Sequence, residues 1–180
     1  DISSNQVEAI LGSELDDIFI SGLTENELSS PSLTPKPWAS ILLDNSRSEI
    51  SNKSNVPVSN VSWELLALLV YSRDQGIITR EGIVPLGSKY LLSIDEDFST
   101  FDKKIDWISK TAELEGFIPA DSSSVEKVID VIIAEKLDFI QSKGMASIGP
   151  LMGMVMAKLG GSADGKLVNS ILLDKIKKIS

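Results

Sequence analysis

Cysteine and histidine are both absent from the 180 residues. Without them there are no disulfides, thiolate nucleophiles, Cys/His zinc sites, Ser-His-Asp triads or imidazole acid–base chemistry. Positive charge is also scarce: 17 Lys and Arg against 26 Asp and Glu leave a net charge of −9. On its face that balance argues against a nucleic-acid partner gripped by a basic surface. No stretch approaches the roughly 18 uninterrupted apolar residues of a membrane helix, so no membrane partner is expected. β-alternation of useful length is missing too, and the predicted fold class is all-α.

What is present is an ordinary globular composition, 42% hydrophobic and 24% charged, arranged in short helical patterns. Ile2, Val7, Ile10, Leu11, Leu15, Ile18 and Phe19 recur at helical spacing with an interruption at Gly12-Ser13, which predicts two short amphipathic turns. The cluster Pro31, Pro35, Pro37 punctuates the chain before a short helix around Trp38 to Leu43, and the polar stretch Asp44 to Asn55 reads as a loop. Val61 to Tyr71 is the most apolar run and predicts a central helix, with Ser59 as its N-cap and Gly76 ending it in the left-handed conformation. A following helix should start near Pro85. Another, containing Ile105, Trp107, Ile108, Ala112 and Leu114, should close at Gly116.

Ser123-Ser124-Val125-Glu126 has capping-box spacing ahead of Val128, Ile129, Ile132, Ile133, Leu137 and Ile140, which predicts one helix up to a Gly144 break. Pro150 then opens a helix with the stripe Leu151, Met152, Val155, Met156, Leu159, and Gly160-Gly161 ends it. Asp164 caps a last helix carrying Leu167, Val168, Ile171, Leu172, Ile176 and Ile179 inward. The predicted architecture is a helical body over residues 1–115 and a small three-helix lobe over 116–180 that ends in a helical hairpin.

The acidic average hides an asymmetry. From Lys136 to Ser180 there are seven lysines against Asp138, Asp164 and Asp174, a net of +4, so the remainder carries −13. A basic segment of this kind marks an interaction surface; lysines complementing a helix dipole explain Lys175, Lys177 and Lys178 as well. Met145, Met152, Met154 and Met156 fit either an adaptable groove or, better, the core of a small lobe. Gly153, inside a helix, points to close backbone approach by another helix. Gly160 to Lys166 lacks a preceding strand and P-loop spacing, which leaves it a helix–helix turn rather than a phosphate cradle. The carboxylates Asp16-Asp17 and Asp95-Glu96-Asp97 lack EF-hand spacing or a convergent partner. No catalytic residue and no metal ligand is assigned.

The segment Leu151-Met-Gly-Met-Val-Met-Ala-Lys-Leu-Gly-Gly-Ser-Ala-Asp-Gly-Lys-Leu-Val-Asn-Ser-Ile-Leu172 resembles, without a gap, the C-terminal signature of the GatB/YqeY domain. Gly153, Val155-Met156, Gly161, Ala163, Lys166 and Val168-Asn169 carry the likeness. Upstream, Ser123 to Glu135, Phe139, Gly144 and Ile148-Gly149-Pro150-Leu151 look like the version in the B subunit of tRNA-dependent amidotransferases rather than YqeY, whose connection is shorter. Pro57-Val58-Ser59, the Trp63 to Tyr71 helix and Gly76-Ile77-Ile78-Thr79 are similar to the B subunit's helical body, which precedes this domain.

The resemblance implies a non-catalytic, tRNA-binding tail. In the family, the B subunit carries its kinase centre in an N-terminal cradle domain, the A subunit supplies ammonia, and Glu-tRNA(Gln) becomes Gln-tRNA(Gln) by a glutamine-hydrolysing ligase complex active in protein synthesis. None of the cradle's sequence is present, so no cofactor is expected in this chain; ATP and Mg would serve the parent's catalytic domain. The expected partners are tRNA(Gln), the amidotransferase's A subunit plus a small linker subunit, with no DNA. The tRNA-contacting residues would be Lys143, Lys158, Lys166, Lys175, Lys177 and Lys178, with backbone N–H groups at Asp164 to Leu167 offered to an anion. The family often has lysines where this chain has Ala157 and Gly160, two contacts the sequence lacks. The Ser- and Asn-rich body points to a mitochondrial version, with a cytoplasmic one as the alternative. A chain that begins at Asp1 reads as processed or as a piece of something longer. A helical protein–protein adaptor and a stand-alone YqeY-like protein are the competing readings; a hydrolase would need a nucleophile–base pair that the chain does not show.

Overall fold

The computed structural model describes residues 2–25, 31–159 and 163–179. Among them there are eleven α-helices, three short 3-10 helices and no strand, as the missing β-alternation predicts. The chain forms two compact units, Asp1–Ile118 and Pro119–Ser180. The first holds α1 (Ser4–Gly12), α2 (Asp16–Leu23), α3 (Pro35–Leu43), α4 (Ser46–Ser54), α5 (Trp63–Asp74), α6 (Ile83–Leu92) and α7 (Phe101–Glu115). The second holds α8 (Ser122–Glu135), α9 (Leu137–Lys143), α10 (Ile148–Lys158) and α11 (Gly165–Ile176).

In the first unit, α5 is the core. Leu65 to Val70 are buried in unbroken succession, which a helix does only when packed on all sides. Its cap is Ser62, whose hydroxyl accepts the Leu65 N–H at 3.2 Å. Ser59, the cap expected from sequence, is spent in a 3-10 turn, Val58–Asn60, that delivers buried Val61 to the core first. Gly76 leaves the helix at φ +69° and Gly116 leaves α7 at φ +76°, both as expected of left-handed exits.

Asp44 to Asn55, expected as a loop, is mostly helix. Ile50 is the only large apolar residue of α4, yet it is wholly buried, and Ser51 and Ser54 are buried beside it. Their hydroxyls bond to nearby backbone carbonyls, Ser51 Oγ to Val56 O at 2.6 Å and Ser54 Oγ to Ile50 O at 2.7 Å, so polar residues occupy an inward face without orphaned donors. Against this face α6 presents Gly87: a Cβ there would stand 2.7 Å from Ile50 Cδ1 and 3.0 Å from Leu69 Cδ1. The helix begins at Ile83 rather than Pro85. The proline sits in the first turn, where its missing N–H has no intrahelical acceptor to lose. Pro35 and Pro37 likewise open α3.

In the second unit the N-cap of α8 is Asp121, whose carboxylate accepts the Ser124 N–H at 2.7 Å. The Ser123 capping box expected from sequence is displaced because the stronger, charged acceptor stands two residues earlier. The predicted helix through Ile140 is broken at Lys136 (φ −120°, ψ 23°) into α8 and α9. The break leaves Leu137 41% exposed while Ile140 returns to the core. That core includes Val125, Ile129 and Ile132 from α8, Ile140 from α9, Leu151 and Val155 from α10, and Val168, Leu172 and Ile176 from α11.

Candidate nucleic-acid interface

The second unit carries the predicted basic residues. Helix α10 buries Leu151 and Val155 and half-buries Met152 and Met156, so two of the four methionines are core. Met145 and Met154 are 45% and 42% exposed. On the outward side Gly149, Pro150, Gly153 and Ala157 lie open. A Cβ at Gly149 or Gly153 would meet nothing within 4 Å, so Gly153 does not mark the close helix contact that its place in the sequence suggests. Close approach falls instead at Gly165, where a Cβ would stand 3.2 Å from Met152 Cε.

The six lysines are not equivalent. Lys158 Nζ lies 3.6 Å from Glu135 Oε1, and Lys175 Nζ lies 2.6 Å from Asp130 Oδ1, both carboxylates projecting from α8. The other four, Lys143 at the end of α9, Lys166 in the first turn of α11, and Lys177 and Lys178 beyond its last turn, are exposed and form no ion pair among the described residues. Residues 119–180 carry eight lysines against seven carboxylates, a net of +1. The +4 of residues 136–180 is thus largely offset by α8, which the fold lays alongside α10 and α11.

At the start of α11 the Asp164 carboxylate accepts the Lys166 N–H at 2.6 Å. It caps the helix as predicted, and in doing so takes an N–H that the sequence would have offered to an external anion. The Gly160-Gly161 turn lies outside the described residues. At the start of α8, the Ser124 N–H holds the Asp121 carboxyl below its ordinary value. Among the described residues no helix is long and apolar enough to cross a membrane.

The first unit contains a feature with no signature in the sequence. A groove of about 620 Å³ opens between the ends of α3 and α5 and the starts of α4 and α6, lined in part by Arg73 and Arg80. Arg73 closes α5 and Arg80 lies in the 3-10 turn Arg80–Gly82, a spacing that matches no motif and becomes legible only once the helices are folded.

The family model GatB_Yqey, described as the GatB domain, matches residues 26–176. The E subunit of glutamyl-tRNA(Gln) amidotransferase from Thermococcus gammatolerans is 27% identical over 179 residues, 99% of this chain and 26% of that protein. The E subunits of Methanocaldococcus jannaschii and Thermococcus sibiricus are 43% identical over 107 residues and 44% identical over 71 residues. Those matches cover 59% and 39% of this chain, and 15% and 11% of the relatives. The chain therefore spans about a quarter or less of the length of these relatives. All three are named as E subunits, which supports the domain assignment and leaves the finer likeness to the B subunit without support of its own. No solved structure matches the chain.

Proposed function

Since this chain belongs to the GatB domain family, we propose that it is a non-catalytic, tRNA-holding segment of a tRNA-dependent amidotransferase, of the E-subunit kind, acting in the conversion of Glu-tRNA(Gln) to Gln-tRNA(Gln). The observation that carries this reading is the alignment of 99% of the chain with part of a glutamyl-tRNA(Gln) amidotransferase. Its partners are then tRNA(Gln) and the other subunits of the enzyme, and ATP and Mg belong to parts of the parent outside this chain.

The chemistry asked of the second unit is phosphate neutralisation and shape complementarity. Lys143, Lys166, Lys177 and Lys178, free of internal carboxylates, are the phosphate contacts, and Lys158 and Lys175 contribute less because Glu135 and Asp130 already compensate them. The open small-residue face of α10 lets a sugar–phosphate backbone approach without side chains in the way. The test is binding of the chain to tRNA(Gln) and to an unrelated tRNA across a salt series. Selective binding whose salt slope falls by about one for each lysine lost in Lys143→Ala/Lys166→Ala is the expected result. Absence of binding at low salt, or a slope unchanged in the variant, would refute the reading and favour an adaptor role for the exposed Met145 and Met154.

A further inference from the structure

Arginine is rare in this chain: three residues against fourteen lysines. Arg47 has a structural task, its Nε donating to Val61 O at 2.8 Å and its guanidinium lying 4.2 Å over the Trp63 ring. The other two, Arg73 and Arg80, both line the groove of the first unit, and among the described residues neither forms an ion pair. That is unexpected, because Asp44, Glu49 and Glu81 line the same groove. Asp44 is occupied, its Oδ1 accepting the Ser46 N–H at 2.8 Å. Two guanidinium groups and the carboxylates of Glu49 and Glu81 thus line the groove with no ion-pair partner among the described residues, beside the half-buried side chain of Val84.

Each part of this lining restricts the ligand. Guanidinium groups favour planar or tetrahedral oxyanions that accept two hydrogen bonds, phosphate above all. Asp44, Glu49 and Glu81 outweigh that charge by one, so a bare anion is not favoured, and a ligand must bring hydrogen-bond donors alongside its phosphate. The half-buried Val84 provides an apolar contact for a ring. A groove of about 620 Å³ lies within the range of small-molecule sites, roughly 300–1,000 Å³. We propose that this groove binds a nucleotide unit: its phosphate on Arg73 and Arg80, its sugar hydroxyls or base amino groups donating to Glu49 and Glu81, its base against Val84. The nucleotide is either free or part of an RNA strand, and the site does not depend on the lysines of the second unit.

The experiment is calorimetric titration of the full 180-residue chain with the four ribonucleoside 5′-monophosphates, inorganic phosphate, a short single-stranded RNA and folded tRNA. At least one mononucleotide should bind at least tenfold more tightly than inorganic phosphate. Arg73→Gln/Arg80→Gln should weaken that binding at least tenfold, with Arg73→Lys/Arg80→Lys intermediate because charge without the planar fork restores only part of it. Circular dichroism of the variants verifies that the helices are intact. Lys143→Ala/Lys166→Ala should leave mononucleotide binding unchanged, which separates this site from the tRNA contacts proposed above. Tighter binding of mononucleotide than of RNA supports the proposal with a free ligand, and RNA binding that the arginine variants weaken while Lys143→Ala/Lys166→Ala leaves a groove contribution in place supports it with a strand. The proposal is overturned by absence of mononucleotide binding at millimolar concentration, by parity with inorganic phosphate, or by arginine variants that bind like the wild type.

Discussion

Two glycines in helix interiors should respond in opposite directions to the same methyl group. At Gly153, in the exposed middle of α10, a Cβ meets nothing within 4 Å. Replacing glycine by alanine there removes backbone freedom from the unfolded chain without a steric cost in the folded one, so Gly153→Ala should stabilise by about 0.5–1 kcal/mol. For a unit as small as Pro119–Ser180, that is a rise in unfolding midpoint of about 2–8 °C. At Gly87 the same propensity gain of about 1 kcal/mol is opposed by contacts at 2.7 Å with Ile50 and 3.0 Å with Leu69. Both neighbours are fully buried and cannot swing into solvent, so overpacking of about 1–3 kcal/mol prevails and Gly87→Ala should destabilise by about 1 kcal/mol. Thermal unfolding followed by far-ultraviolet circular dichroism measures both. A destabilised Gly153→Ala would show that the outer face of α10 is packed rather than open, and a stabilised Gly87→Ala would show that α4 and α6 are not in tight contact.

Leu172→Ala, at a fully buried position shared by α8, α10 and α11, should cost about 2–5 kcal/mol in chemical denaturation; a loss under 1 kcal/mol would place Leu172 outside the core. Because folding holds the Asp121 carboxyl below its ordinary value, its contribution is present above the ordinary aspartate range, about 4, and is lost as pH falls below that range. Asp121→Asn should therefore flatten the acid limb of the stability–pH profile, and an identical limb in the variant would remove the cap from the account. Glu135→Gln and Asp130→Asn release Lys158 and Lys175, and each should strengthen RNA binding and steepen its salt dependence by up to about one contact. Weaker binding in these variants would mean that the ion pairs position the lysines rather than compete for them.

The elements legible in the sequence are those in which apolar residues carry the pattern. The interruption at Gly12, the apolar run of α5, the left-handed exits at Gly76 and Gly116 and the Asp164 cap all follow from local chemistry and stand in the structure. Helix α4 was hidden because its buried face is built from Ser51, Ser54 and a single isoleucine, a pattern with no hydrophobic period to read. The break at Lys136 is invisible for the opposite reason: Ile133, Leu137 and Ile140 keep helical spacing across it, although Leu137 faces solvent. The groove of Arg73 and Arg80 could not be seen at all, since four different helices contribute to it.

Charge was legible along the chain but not across it. Glu135 and Lys158 are separated by a whole helix in sequence, Asp130 and Lys175 by two, and packing in the second unit puts each pair within 4 Å. A segment that counts as +4 thereby belongs to a unit of only +1. For a tRNA-holding role this has a definite consequence. With four uncompensated lysines the counterion-release contribution is limited to about four contacts, so affinity should be modest and should collapse between low and physiological salt. Discrimination of tRNA(Gln) by the second unit then has to come from fit against the open surface of α10 rather than from electrostatic attraction, because the same few charges attract any RNA alike. A more basic tail would bind any tRNA more tightly and tell them apart less well; the carboxylates of α8 set the second unit against that outcome.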